Sequence, residues 1–303
     1  MPVGVDRYRV IGHPIAHSKS PAIHAAFAEA TGQALHYDRV LAPLDGFADA
    51  VRAFAAIGGR GMNVTVPFKL EAYALSDVLT PRAAAAGAVN TLRFLQEGER
   101  VRIEGDNTDG AGLVCDIERN LGRAFAGKRV LLLGAGGAAR GVILPMLDGR
   151  PSQLHIANRT AARAVELQDR FAADAARLGV ELAAVDASRL MPFSRAVPGA
   201  AAEGADAAAQ RYDIVINGTS SSIGGDLPDV PEGAIGAGTL VYDMMYGAAL
   251  TPFLVAAQAA GADVADGLGM LVEQAAESFL LWRGIRPDGR PVLATLRAAT
   301  RGQ

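Results

Sequence analysis

The sequence predicts an α/β protein with largely parallel sheets, and three observations carry that expectation. Short apolar runs alternate with helix-period segments from end to end, as strands and their crossover helices do. One of them, residues 129–133, is an arginine followed by four aliphatic residues, the pattern of a strand buried on both faces. Glycine supplies 35 of 303 residues, roughly 12% against a usual value of about 7%. Many loops must therefore use positive φ or bring backbone close to something. A chain of this length, 50% hydrophobic, can form one large domain or two ordinary ones with substantial cores.

Residues 8–11 read as the first strand. A helix follows, opening at Ser20-Pro21, a capping serine ahead of a proline at the first helical position. It buries Ile23, Phe27 and Ala30 and stops at Gly32. Residues 35–41 form the second strand. Phe47, Val51, Phe54 and Ala55 then mark one face of a helix closed by Gly58-Gly59. Residues 62–66 make a third strand ended by Pro67, with helical residues 70–75 behind it. Thr80-Pro81 repeats the cap signature before a short alanine-rich helix. Residues 89–95 and 101–104, joined across Glu97-Gly98-Glu99, are expected to pair as a β-hairpin.

After Gly105 the texture changes. A helix over residues 110–121 presents Leu113, Ile117 and Leu121 on one face and acts as a connector. The strand at 129–133 runs into Gly134-Ala135-Gly136-Gly137-Ala138-Ala139 and then a helix carrying Val142, Ile143 and Leu147. Pro145 removes a hydrogen bond there and is expected to kink it. Residues 153–158 form the next strand and 160–178 the next helix, with further strands at 212–217 and 240–243. Residues 186–210, rich in Ala, Pro and Gly, read as a surface insertion with no site in it. The C-terminal part is helical: residues 251–260, 269–283, and a last helix opened by Pro291.

Composition removes several function classes. Net charge is −3, so no basic field is offered to nucleic acid or to an anionic membrane. The single cysteine, Cys115, cannot form an intrachain disulfide, which fits a reducing compartment. Neither a signal peptide nor a run of roughly 18 apolar residues is visible. The expectation is a soluble, cytoplasmic protein, with the choice between monomer and homodimer left open.

The strand at 129–133, the turn Gly134-x-Gly136-x-x-Ala139 and the helix behind it make a dinucleotide-binding unit. The first glycine permits the tight turn, the second lets backbone approach a pyrophosphate, and the small third residue lets helix and strand pack closely. The N–H groups and dipole of the helix N-terminus then hold the anion. An NAD site would place a carboxylate about 20 residues on. Here that place holds Asn158-Arg159-Thr160, with Arg163 one turn later. A guanidinium pairs well with a 2′-phosphate, so the expected cofactor is NADP. The bland alternative makes Thr160 a helix cap and both arginines surface residues.

Elsewhere, polar groups sit where a core would not want them. Ser18 and Ser20 follow Gly12-His13-Pro14, although Ser20 has an alternative as a cap. Thr65 and Lys69 flank Pro67. Asn90 lies in an apolar strand and needs a partner there. In Gly105-Asp106-Asn107-Thr108-Asp109-Gly110, either aspartate can cap the following helix, and Asp106 is expected to tolerate replacement by Asn.

Together these segments form an ordered set. Gly12-His13-Pro14-Ile15-Ala16-His17-Ser18-Lys19-Ser20-Pro21, Asn63-Val64-Thr65-Val66-Pro67-Phe68-Lys69 and Gly87-Ala88-Val89-Asn90-Thr91 come first. The Gly105–Gly110 segment, the glycine turn, Asn158-Arg159-Thr160 and Asp266-Gly267-Leu268-Gly269-Met270-Leu271-Val272-x-Gln274 follow. The set strongly resembles the shikimate dehydrogenase family over nearly the whole chain. Its departures are the 186–210 insertion and a slightly long hairpin near 96–104.

The resemblance implies reversible NADPH-dependent reduction of 3-dehydroshikimate to shikimate, in aromatic amino-acid biosynthesis. It implies two α/β domains around a cleft, the second a Rossmann-type dinucleotide-binding domain. Residues 1–108, completed by 268–303, form the substrate domain, and residues 109–267 form the NADP domain. Ser18 and Ser20 bind the substrate carboxylate, while Thr65, Asn90, Tyr246 and Gln274 bind ring hydroxyls or orient the ring. Lys69 and Asp109 match the catalytic pair. Gly134, Ala135, Gly136, Gly137 and Ala138, with Asn158, Arg159, Thr160 and Arg163, hold the nucleotide, and Met244 and Gly267 border the nicotinamide. No metal is expected. The rivals are a quinate/shikimate dehydrogenase using NAD, disfavoured by Ser20 and by Asn158-Arg159-Thr160, and a non-catalytic NADP sensor, which had no need to keep Lys69 and Asp109.

Overall fold

The computed structural model describes residues 4–196, 211–219 and 226–301. The chain divides into two compact units, Met1–Leu113 with Leu271–Leu296, and Val114–Met270 with Arg297–Gln303.

The first unit holds β1 (Asp6–Gly12), α1 (Ser20–Thr31), β2 (Leu35–Leu41), α2 (Phe47–Ala56), β3 (Gly59–Val64), α3 (Lys69–Leu75), β4 (Val78–Leu79), α4 (Pro81–Ala86), β5 (Thr91–Glu97), β6 (Arg100–Asp106) and the start of α5 (Asp109–Cys115). Its six strands lie in the order β2-β1-β3-β5-β6-β4. Strands β1, β2 and β3 run parallel, whereas β5 is antiparallel to both β3 and β6, so this sheet is mixed. The expected hairpin forms, turning at Gly98 with φ +63 between the paired residues Glu97 and Arg100. Phe47 of α2 stacks on Phe68 at 4.9 Å, inside a core that also takes Ile11, Val51, Phe54, Met62 and Leu92.

Helix α1 departs from expectation at both its cap and its face. Lys19 is the N-cap and gives no side-chain cap bond, so Ser20 is the first helical residue and its hydroxyl is not spent on capping. Ala30 is exposed, and His24 and Ala28 join Ile23 and Phe27 on the inner face. Gly32 ends the helix in the left-handed conformation, φ +64, as its position suggested.

The second unit contains β7 (Arg129–Leu133), α6 (Gly137–Asp148), β8 (Gln153–Ala157), α7 (Ala161–Leu178), β9 (Glu181–Ala184), β10 (Leu190–Met191), α8 (Phe193–Ala196), β11 (Ile214–Asn217), β12 (Val230–Pro231), β13 (Leu240–Asp243), α9 (Pro252–Ala259) and β14 (Asp263–Asp266). Its main sheet is parallel throughout, in the order β14-β13-β11-β7-β8-β9. Crossovers at β7-α6-β8 and β8-α7-β9 give the doubly wound topology expected of the glycine turn. The connector is α-helical only to Cys115, and Asp116–Asn120 continue it as a π-helix.

The insertion is corrected in its first part. Phe193 and Ala196 are buried in this unit's core, and Phe193 meets Phe253 edge-on at 5.7 Å. Residues 197–210 lie outside the described residues. The C-terminal helices are α10 (Leu268–Arg283) and α11 (Arg290–Arg301). Within the first unit, Trp282 of α10 stacks on Tyr8 at 4.6 Å and donates its indole N–H to the Leu92 carbonyl at 3.0 Å. A Cβ on Gly61 would stand 2.4 Å from that indole nitrogen, so the close approach of helix to strand requires glycine there.

Candidate active site

In the first unit, strand ends and helix starts bring the predicted polar residues together. Strand β3 stops at Val64, and the short loop through Thr65 and Pro67 places Lys69 at the first turn of α3. Gly12, at the end of neighbouring β1, leaves room for that loop, since a Cβ there would stand 2.4 Å from Thr65 Cγ2. Lys69 Nζ donates to Asp109 Oδ2 at 2.6 Å. The lysine side chain is 31% exposed and the carboxylate 14%, so the pair faces solvent on one side. Asp109 opens α5, and its backbone N–H is taken by Asn107 Oδ1 at 3.1 Å.

Asn90 immediately precedes β5 and is buried. Its Nδ2 donates to Asp109 Oδ1 at 2.7 Å, with Thr108 Oγ1 at 3.0 Å and Gln274 Oε1 at 3.4 Å. Its Oδ1 accepts the Thr108 backbone N–H and the Thr91 hydroxyl, each at 2.9 Å. Gln274 projects from α10 and donates its own amide to Leu271 O at 2.9 Å. Ser18 Oγ lies 3.2 Å from Ser20 Oγ, and the two hydroxyls meet at the mouth of α1. Arg39 pins that loop by donating Nε to the Ser18 carbonyl at 3.0 Å.

Asp106 departs from the expectation that Asn would be tolerated there, because it is buried and fully bonded. It is 1% exposed and accepts Arg82 Nε at 2.7 Å, Arg82 Nη2 at 2.6 Å, Thr80 Oγ1 at 2.6 Å and the Asn107 N–H at 2.7 Å. Burial alone raises its carboxyl pKa, but the hydrogen bonds and charge of Arg82, with Thr80 and Asn107, outweigh that and hold it below the ordinary value. Arg82 Nη1 also reaches Glu277 at 3.2 Å, and Arg286 bridges Glu277 to Glu273 at 2.8 Å each. The loop that ends in Asp109 is thus clamped through a run of ion pairs to α10.

Sequence reasoning missed Tyr37, Asn63, Thr91, Thr108 and Ser278, which tie these groups together from beneath. Thr91, Thr108 and Ser278 are small, Asn63 lies between apolar residues, and Tyr37 sits among polar neighbours as the buried position of its strand, so burial alone would account for each. Only pairing across the sheet brings them into contact.

In the second unit, Gly134 follows β7 with φ +103 and donates its N–H to Ala157 O at 2.7 Å. A Cβ there would sit 3.0 Å from Thr219 and 3.2 Å from Gly218, so glycine is required by the fold itself. Gly136 caps α6 in extended backbone, and neither it nor Gly137 would place a Cβ within 4 Å of anything. The protein leaves that space open, and Gly136, Gly137 and Ala138 are exposed with no acidic residue in the helix's first turn. These features fit the pyrophosphate of a dinucleotide.

At the end of β8, Asn158 Nδ2 donates to Thr160 O at 2.9 Å, while Arg159, Thr160 and Arg163 are exposed. Thr160 is the N-cap of α7 but makes no side-chain cap bond, which leaves its hydroxyl available. Met244 follows β13 and donates its N–H to Asn217 O at 3.0 Å. A Cβ on Gly267 would stand 2.2 Å from Met244 O, so these two residues pass in close contact. Tyr246 lies in the same unit at 37% exposure.

Among known proteins, the family model of the shikimate dehydrogenase substrate binding domain matches residues 10–92. The model for shikimate / quinate 5-dehydrogenase matches 117–187, and that for the shikimate 5'-dehydrogenase C-terminal domain matches 267–297. Shikimate dehydrogenase (NADP(+)) of Cupriavidus taiwanensis is 57% identical over 300 residues, covering 98% of this chain and 95% of its own. A crystal structure of an Ael1 enzyme from Pseudomonas putida superposes with a TM-score of 0.83 at 45% identity, over 96% of this chain and 98% of that one. Shikimate 5-dehydrogenase of Thermus thermophilus, solved in complex with NADP(H) and shikimate, gives a TM-score of 0.75 at 30% identity, over 97% of this chain and 100% of that one. With three family models in sequence order and a relative this similar over nearly its full length, the chain belongs to the shikimate dehydrogenase family.

Proposed function

We propose that this chain catalyses the reversible NADP-dependent interconversion of 3-dehydroshikimate and shikimate, in the cytoplasm and as a step of aromatic amino-acid biosynthesis. The observation that carries the reading is the 2.6 Å contact of Lys69 with Asp109, with Asn90 on the other oxygen of the same carboxylate.

Ketone reduction builds negative charge on the carbonyl oxygen, and the half-buried Lys69 ammonium is the group to stabilise it and give it a proton. Asp109 orients the lysine and keeps its charge compensated. In the reverse direction the same nitrogen takes the proton from the hydroxyl. Ser18 and Ser20 take the substrate carboxylate. Thr65, Asn90, Tyr246 and Gln274 take ring hydroxyls or orient the ring, as hydroxyl and amide groups suit a small polyol acid. The first unit serves as the substrate domain and the second as the nucleotide domain. There the turn formed by Gly134, Ala135, Gly136, Gly137 and Ala138 holds the pyrophosphate. Asn158, Arg159, Thr160 and Arg163 hold the 2′-phosphate, and Met244 and Gly267 border the nicotinamide. When bound, NADPH supplies the hydride.

The test is the reduction of NADP by purified protein with shikimate, run beside quinate and beside NAD. Rapid turnover with shikimate and NADP supports the proposal. Fast oxidation of quinate with none of shikimate overturns it.

A further inference from the structure

Beneath Asn90 runs a buried chain of hydrogen bonds in which each of the two amides is oriented by a partner that can only donate or only accept. The Tyr37 hydroxyl on β2 donates to Asn63 Oδ1 on β3 at 2.7 Å. Asn63 Nδ2 faces the Asn90 carbonyl oxygen at 3.4 Å, which only accepts, so this is the amide's N–H side. It donates to Thr91 Oγ1 at 3.1 Å and to Ser278 Oγ at 2.9 Å. With Ser278 Oγ as a hydroxyl neighbour at 2.8 Å, Thr91 Oγ1 donates to Asn90 Oδ1 at 2.9 Å. The Thr108 backbone N–H, which only donates, meets that same oxygen. Asn90 therefore turns its N–H side to Asp109, where the chain ends opposite Lys69. Thr91 and Ser278 are 0% exposed, Asn90 3% and Asn63 6%, so water does not compete for these bonds. The Ser20 hydroxyl lies beside the Tyr37 phenol at the far end.

We propose that Thr91, set by Asn63 and Tyr37, is a positioning residue for the reaction: its hydroxyl locks the Asn90 amide so that an N–H, never the amide oxygen, meets the Asp109 carboxylate. This inference rests on the reading of Lys69 and Asp109 as the reacting pair. Without the Thr91 donor, the Asn90 amide oxygen is held by Thr108 alone, and the N–H that faces the Asp109 carboxylate is less firmly aimed.

The experiment compares Thr91→Val, which keeps the shape and removes the hydroxyl, with Thr91→Ser, which restores it. Both are read against Lys69→Ala, with shikimate and NADP as substrates. Thr91→Val is expected to lower kcat by about ten- to hundredfold. The KM for NADP should stay unchanged, and Thr91→Ser should recover to within a few-fold of the parent. Thr91→Val within twofold of the parent, while Lys69→Ala is inactive, overturns this inference and leaves the site reading intact. Near-normal turnover in Lys69→Ala overturns the site reading itself. If Thr91→Val does not fold, Tyr37→Phe decides: its ring packing is retained, a several-fold fall in kcat supports the chain, and an unchanged kcat overturns it.

Discussion

Arg82 closes on Asp106 with two parallel bonds, Nε to Oδ1 at 2.7 Å and Nη2 to Oδ2 at 2.6 Å, three residues before the aspartate that meets Lys69. Two carboxylates in one short loop therefore have different work. Asp106 is sealed against Arg82 and holds the loop, and the half-open Asp109 faces the lysine. Asp106→Asn removes the nearer of the two carboxylates that hold the Arg82 guanidinium and leaves it only Glu277 at 3.2 Å, a loss of about 1–3 kcal/mol for a buried hydrogen-bonded group deprived of its partner. Urea denaturation should show that loss. Asp109→Asn should barely move the same midpoint while lowering turnover. Equal stability losses in the two variants would contradict this division of roles.

Lys69→Ala should lower kcat by about 10²–10⁴-fold, the usual effect of removing a positioned proton-transfer group. Binding of NADP, followed by nicotinamide or protein fluorescence, should be unaffected, because the residues proposed to hold the nucleotide lie in the other unit. A variant that keeps turnover but loses NADP would reverse the assignment of the two units.

The glycine turn was legible because its signal is local. An apolar strand, Gly134-x-Gly136 and a helix follow one another within a few residues, and the structure builds them in that order. Lys69 and Asp109 were legible only through resemblance, since an isolated lysine after Pro67 carries no signal of its own. What brings them within 2.6 Å is a 40-residue separation closed by the mixed sheet. The Asp106 clamp was invisible for the same reason: Arg82 and Glu277 are 195 positions apart. Ser20 was misread because Ser-Pro is the usual cap signature. The helix begins one residue earlier than that signature places it, and Lys19 takes the cap.

Gly136 should separate cofactor binding from folding. Its ideal Cβ meets nothing within 4 Å, and its backbone is extended, so Gly136→Ala should leave the melting temperature nearly unchanged. The added methyl fills the space a pyrophosphate would occupy, so affinity for NADP and NAD should fall together. Arg159→Ala should behave otherwise, weakening NADP by about 1.5–3 kcal/mol, the range for a hydrogen bond to a charged group, with NAD hardly changed. Parallel losses of both dinucleotides in Arg159→Ala would remove the guanidinium from the 2′-phosphate.

Acid sensitivity should centre on His24. Its ring is 0% exposed, stacks on Tyr37 at 4.2 Å and 8°, and packs near Phe27, Phe279 and Trp282. Neither ring nitrogen makes a hydrogen bond. Burial pushes its pKa down from 6.5 to about 3, with nearby Asn63 opposing only in part. Between those values the unfolded chain binds a proton that the native state refuses. The stability is therefore complete above about pH 6.5 and is lost as pH falls toward 3, at roughly 1 kcal/mol per pH unit. Asp106, also held below its ordinary value, adds its own loss only at lower pH, beneath the range of a free carboxylate. His24→Phe keeps an aromatic ring in the stack and removes the titrating group. Unfolding free energy measured at pH 7 and pH 5 should fall for the parent chain and fall clearly less for His24→Phe, in which the part-buried His155, also lowered by burial, still contributes. An equal fall in both proteins would place the acid sensitivity in groups other than this histidine.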